Sequence, residues 1–133
     1  MYFRFGRMAR EGVAAKTCFD AVVSGERTST TRFLSDSPKQ HALWSQCRTG
    51  DLVRIWSGPW KDGVFSGKSC LIEITEQPRI VSLLEIDRRA WSLAEGWRAE
   101  FLEVLLGQGK EEGLQVRYKL HTPPFEPQMD LGV

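Results

Sequence analysis

The chain has 133 residues, a length that fits one domain with room to bury a core. Its 18 Lys and Arg against 17 Asp and Glu leave a formal charge of +1. That balance excludes a global attraction to nucleic acid or anionic lipid, so any polyanion binding must come from local clustering of the basic residues.

Cys18, Cys47 and Cys70 are odd in number and share no metal-ligand spacing, which argues for a reducing compartment rather than a disulfide framework. Cys18 and Cys70 lie in apolar surroundings and read as core residues. No apolar run approaches the roughly 20 residues of a membrane span. The start, Met1-Tyr2-Phe3-Arg4-Phe5, lacks the charged-then-apolar layout of a signal peptide. The expectation is a cytoplasmic protein with no membrane partner.

Met1 to Phe5 is short and aromatic and reads as an edge strand. Between Gly12 and Val23, the residues Ala15, Phe19, Val22 and Val23 recur at helical spacing, and Ser24-Gly25 supplies the stop. Ser29 to Arg32 is a β-branched strand. A loop follows at Ser35-Asp36-Ser37, with one or two helical turns from Pro38 to Cys47 anchored by Ala42, Leu43 and Trp44.

Gly50-Asp51 is a turn before the strand Leu52 to Trp56. Trp60 to Gly67 reads as a hairpin connection. Ser69 to Thr75 is the strongest strand, with Cys70, Ile72 and Ile74 on its apolar face. Arg79 to Leu83 is a further short strand. Two helices follow, about Asp87 to Glu95 and Trp97 to Leu106, ended by Gly96 and Gly107. Leu114 to His121 alternates as a half-buried strand. Pro123, Pro124 and Pro127 make the tail from Thr122 irregular. The order β-α-β-loop-β-β-β-α-α-β predicts an α+β fold in one domain over residues 1–133, with strands that curl into a small barrel or a strongly bent sheet and helices that close the sides.

The stretch Ser24-Gly25-Glu26-Arg27-Thr28-Ser29-Thr30-Thr31-Arg32 packs guanidinium groups and hydroxyls directly after a helix stop, a composition suited to a polar ligand. Gly25-x-Arg27-x-x-Thr30-x-Arg32, Gly50-Asp51-Leu52-Val53-Arg54-Ile55, Leu71-Ile72-Glu73-Ile74-Thr75, Ala94-Glu95-Gly96-Trp97 and Gln115-Val116-Arg117-Tyr118-Lys119-Leu120 occur in an order that resembles the ASCH domain family of the PUA-like superfamily. The resemblance spans about residues 12–121. It implies a small β-barrel of about five to six mixed strands flanked by helices, and a domain that binds RNA or nucleotides without a cofactor. One branch of the family is an amidohydrolase acting on acetylcytidine, in which a Lys, a Thr and a Glu do the chemistry.

The matching positions are Arg27, Thr30 and Glu95, the catalytic candidates if the protein is an enzyme. Arg27 departs from the family's lysine. Burial can lower a lysine's pKa until it serves as the base for a threonine hydroxyl, whereas arginine stays protonated. Arg27 is suited instead to holding a phosphate or carboxylate through its planar fork. The departure moves the expectation from hydrolysis towards recognition, with amidohydrolase and metal-independent ribonuclease activities as alternatives.

The expected ligand-binding set is Arg27, Thr30, Arg32, Glu95, Arg54, Lys39 and Trp60, for RNA or a modified nucleoside or nucleotide. Strand alternation puts Thr30 and Arg32 on one face with Ser29 and Thr31 opposite. Glu95, just before Gly96, is expected to point at the start of the next helix. Arg48 and Lys68 are further basic candidates. Trp44, Trp56 and Trp60 are readable as stacking platforms or as ordinary packing, while Trp91 and Trp97 fit helix packing better. Each basic residue also has a plain surface reading. His41 and His121 are isolated, no Cys/His group has zinc spacing, and no Gly-rich phosphate loop opens a helix.

Overall fold

The computed structural model describes residues 2–4, 18–57, 62 and 67–125. Helix α1, Cys18–Val23, turns Phe19 and Val22 inward and stops at Gly25. Gly25 has φ +81°, a left-handed conformation that glycine adopts without a Cβ penalty. Strand β2 is Ser29–Arg32 and helix α2 is Pro38–Ser45. Ser37 caps α2, its hydroxyl accepting from the Gln40 amide at 3.2 Å, and Pro38 sits at the first helical position, where a missing N–H costs nothing.

Strands β3 (Leu52–Trp56) and β4 (Ser69–Ile74) pair antiparallel, as the hairpin reading requires. The alternation buries Val53 and Ile55 from one strand and Cys70, Ile72 and Ile74 from the other. The turn before β3 is fixed by the Gly50 amide, which donates to Ile74 O at 2.7 Å, and by the Asp51 carboxylate, which accepts from the Arg48 amide at 2.7 Å. Strand β5, Arg79–Ser82, precedes helices α3 (Arg88–Glu95) and α4 (Phe101–Gly107), and strand β6, Glu112–Phe125, follows. Strand β1 is Tyr2–Arg4.

The sheet order is β1-β3-β4-β6-β2, with β5 paired to β6 off this path. β1 runs parallel to β3 and the remaining pairs are antiparallel, so the sheet is mixed and the fold is α+β. The expected barrel is not formed. β1 and β2 end the order with three and four residues, and no ladder joins them among the described residues. Helices α1 and α2 pack against β6.

β6 is longer than the Leu114 to His121 pattern predicts and continues past Thr122 into the expected irregular tail. Ser69 pairs with Phe125 and Leu71 with Thr122, across register shifts in β4. Proline lacks an N–H but can occupy a strand at an irregularity, and the Leu71 amide bonds the Thr122 hydroxyl at 3.2 Å here. α4 starts later than Trp97. Residues 98–100 form a turn in which the Phe101 and Leu102 amides reach back to Arg98 O and Ala99 O at 3.0 and 3.1 Å. The stretch from Gly12 to Thr17 and the Trp60 loop lie outside the described residues.

Two apolar clusters hold the layers together. One joins Phe19, Val22 and Trp44 to Val53, Ile55, Ile72, Ile74 and Val116. The other joins Phe33 and Leu83 to Trp91, Leu102 and Leu105. Trp97 packs against both. The polar stretch from Arg27 to Arg32 runs between these clusters.

Candidate functional site

After Gly25 the chain is pinned before it becomes a strand. The Arg27 amide donates to Ala21 O at 3.0 Å, the Thr28 amide to Ala94 O at 2.8 Å, and the Tyr118 amide to Thr28 O at 2.9 Å. These three bonds fix the start of β2 against α1, α3 and β6 together. β2 then pairs with β6 from Ser29 opposite Arg117 to Arg32 opposite Leu114.

α3 delivers the acid. Asp87 caps its start, accepting from the Ala90 amide at 2.9 Å, and Gly96 ends it with φ +76°. Glu95 is the last helical residue and is 2% exposed. Its Oε2 accepts from Ser29 Oγ at 2.6 Å and from Thr31 Oγ1 at 3.1 Å. Its Oε1 lies 4.0 Å from Arg27 Nη2. Trp91, one turn earlier on α3, donates from Nε1 to Thr31 Oγ1 at 3.3 Å. Thr31 is thereby held between an indole donor and a carboxyl acceptor.

Burial pushes the Glu95 carboxyl above the ordinary carboxylate range. Arg27, the hydroxyls of Ser29 and Thr31, and Arg32 pull the other way. Desolvation is the largest effect because burial strips the charged carboxylate of its hydration. Glu95 thus favours its neutral form more than a surface glutamate does.

Arg27 is 7% exposed. Its Nε donates to Ser29 O at 3.2 Å, its Nη2 donates to Thr30 Oγ1 at 3.0 Å, and its guanidinium lies over the Trp97 ring at 5.8 Å from the centroid. Arg32 lies over the Trp44 ring at 5.4 Å. The strand therefore carries two guanidinium groups, each against an indole, at its two ends.

Of the residues expected to form the site, the structure brings Arg27, Thr30 and Glu95 into one cluster. Arg32 borders it, and its charge is felt at Glu95. Arg54 is placed elsewhere on β3, with Nη1 donating to Ser69 Oγ at 2.9 Å. Lys39 is exposed on α2. Trp60 lies outside the described residues. Trp44 is fully buried and is no stacking platform. Glu95 does not point at the start of α4, because the Ser29 and Thr31 hydroxyls draw it onto β2.

Ser29, Thr31 and Trp91 were not among the expected site residues. Ser29 and Thr31 share the strand face opposite Thr30, and that alternation was the signal that could have paired them with a buried acid. Trp91 at one turn before Glu95 was a second signal.

Arg27, Thr30 and Glu95 are buried, and beside them Thr31 and Arg32 line a pocket of about 100 Å³ together with Phe33, Asp36, Ser37 and Gln40. Among the described residues no group of three or more His, Cys, Asp or Glu is placed to hold a metal, and no helix is long and apolar enough to cross a membrane.

No family model and no curated protein matches the sequence. Solved structures do match the fold. A protein from Enterococcus faecalis, described under the family model DUF984, aligns with a TM-score of 0.54 at 16% identity, covering 90% of this chain and 78% of that one. An ASCH domain from Lactobacillus crispatus aligns with a TM-score of 0.50 at 14% identity, covering 90% and 79%. The open mixed sheet, its four flanking helices and these two likenesses give one conclusion: the chain has an ASCH-like fold.

Proposed function

We propose that this domain binds RNA or a single nucleotide at the pocket beside Arg32, next to the buried cluster of Arg27, Thr30 and Glu95. The observation that carries the reading is the pair of arginines stacked on indoles around one buried carboxyl. Stacking leaves the edge of a guanidinium pre-organised for a planar or tetrahedral anion. Two guanidinium groups against one carboxyl make the local balance positive although the whole chain is nearly neutral. Arg32 is the member of the cluster that lines the pocket together with Thr31. Arg27 acts beneath it by holding Thr30 and Glu95 in place.

Calorimetric titration with a short single-stranded RNA and with nucleoside monophosphates tests this reading. Binding should weaken as salt rises and drop at least tenfold in Arg32→Ala, as loss of a phosphate contact requires. Binding that ignores both salt and Arg32 would remove this site from the protein's function.

Hydrolysis is the second reading, and the raised proton affinity of the buried Glu95 carboxyl favours it, since a perturbed carboxyl beside a hydroxyl cluster suits proton transfer. Against it, the Thr30 hydroxyl accepts from Arg27, a group that cannot serve as its base. Release of cytidine from acetylcytidine, or cleavage of RNA without added metal, lost in Glu95→Gln, would establish it.

A further inference from the structure

The pocket beside Arg32 contains a second charged group that the nucleotide reading leaves without a task. Asp36 lies in the tight turn after β2, where its amide donates to Phe33 O at 3.1 Å. Its Oδ1 is 2.9 Å from Lys110 Nζ, which comes from the turn before β6 and also lies over the Phe33 ring at 5.3 Å. Lys110 is largely buried and thus clasps both ends of the short segment Phe33 to Asp36.

The clasp has two effects. It holds the Asp36 carboxylate on the pocket wall, and it offsets the negative charge that would repel an anion at Arg32. The wall then offers a carboxylate acceptor, the amide of Gln40 and the hydroxyl of Ser37 close to a guanidinium.

We propose that this pocket is a ribose-phosphate subsite, in which Asp36 accepts a hydrogen bond from the sugar 2′-hydroxyl and Arg32 holds the neighbouring 3′-phosphate. The proposal rests on the nucleotide-binding reading and adds its sugar specificity.

The chemistry of the wall supports a sugar at this position. A carboxylate accepts hydrogen bonds and has no proton to give near neutral pH, so its partner must be a donor. Sugar hydroxyls are such donors, and a carboxylate on a ribose hydroxyl is a recurring way of recognising nucleotides. The 2′-hydroxyl is also the group by which a protein separates RNA from DNA.

The test compares uridine 3′-monophosphate with its 2′-deoxy and 2′-O-methyl analogues by calorimetry, then repeats the comparison with all-ribo and all-deoxy uridine tetramers. The full chain is used throughout. The ribonucleotide should bind roughly tenfold more tightly than the deoxy form, the factor one charge-assisted hydrogen bond supplies. The 2′-O-methyl form, which accepts but cannot donate, should fall to the deoxy level or below. Asp36→Ala, at an exposed turn position, removes the acceptor and should bring the ribo and deoxy forms to equal affinity.

Equal binding of ribo and deoxy forms by the native chain overturns the subsite while leaving nucleotide binding intact. A preference that survives Asp36→Ala also overturns it. If none of the nucleotides or tetramers binds, the nucleotide reading falls and takes the subsite with it. A preference seen only in the tetramers would identify the source of the ribose as RNA rather than free nucleotide.

Discussion

The buried contact between Arg27 and Glu95 makes a quantitative prediction for a double-mutant cycle. At 4.0 Å, an effective dielectric of 20 gives about 4 kcal/mol of attraction, an upper bound before desolvation is charged against it. Glu95→Leu takes the carboxylate away from a guanidinium that is 7% exposed; loss of one partner of such a pair costs up to ~3–5 kcal/mol. Part of that loss comes from the Ser29 and Thr31 hydroxyls, which lose their acceptor. Arg27→Met should cost less, about 1–3 kcal/mol, because the carboxyl left behind can take up a proton and keep its two hydroxyl partners. In the double variant no buried charge is left at either position, and the remaining penalty is that of the two hydroxyls.

The coupling energy should therefore be about 2–3 kcal/mol, with the double variant no less stable than Glu95→Leu alone. Urea denaturation of the four proteins at neutral pH, followed by far-UV circular dichroism, measures it, provided the m-values agree. Additivity within about 0.5 kcal/mol would refute the idea that these two side chains form one electrostatic unit.

Three further outcomes follow from the same geometry. The raised carboxyl of Glu95 binds a proton more readily in the folded chain than in the unfolded one, so its contribution to stability is fully present below about pH 4.3, the unfolded value, and is lost as pH rises through the folded value. The stability of the native chain minus that of Glu95→Gln should accordingly grow as pH is lowered from 8 to 4.5, and a flat difference would contradict the burial argument. Gly113→Ala would place a Cβ 2.4 Å from Thr31 Cγ2 and 3.0 Å from Phe33 Cε1; displacing these side chains should cost ~1–3 kcal/mol, read as a lowered urea midpoint. Asp87→Ala removes the cap of α3 and should cost about 1 kcal/mol, with faster amide exchange in the helix that carries Glu95.

Much of the fold was written in local patterns. The alternation of Cys70, Ile72 and Ile74, the Gly50-Asp51 turn and the Gly96 stop each act over a few residues, and each stands where the sequence placed it. The open edge of the sheet was not legible, because closure depends on which strands find partners across the whole chain. The extension of β6 through Pro123 and Pro124 was masked by a true rule about proline that a register shift relaxes.

At the site, the grouping of Arg27, Thr30 and Glu95 was legible through the resemblance. The hydroxyl pair on Glu95 was not, since β2 presents hydroxyls on both faces and sequence alone does not say which one meets α3. The contact between Asp36 and Lys110 gave no sign in the sequence either, because the two residues lie 74 positions apart.

The length of β6 has a consequence for how the protein is made. β2, β4 and β5 all pair with this one strand, which leaves the ribosome after each of them. Until residues 112–125 emerge, β2 and β5 have no partner strand, and the cluster of Arg27, Glu95 and Thr31 has no stable floor. The hairpin of β3 and β4 can form early, but the domain can lock only when β6 arrives. A nascent chain halted before Glu112 would expose the β2 and β5 edges together, and chaperone capture or aggregation at that stage would report it.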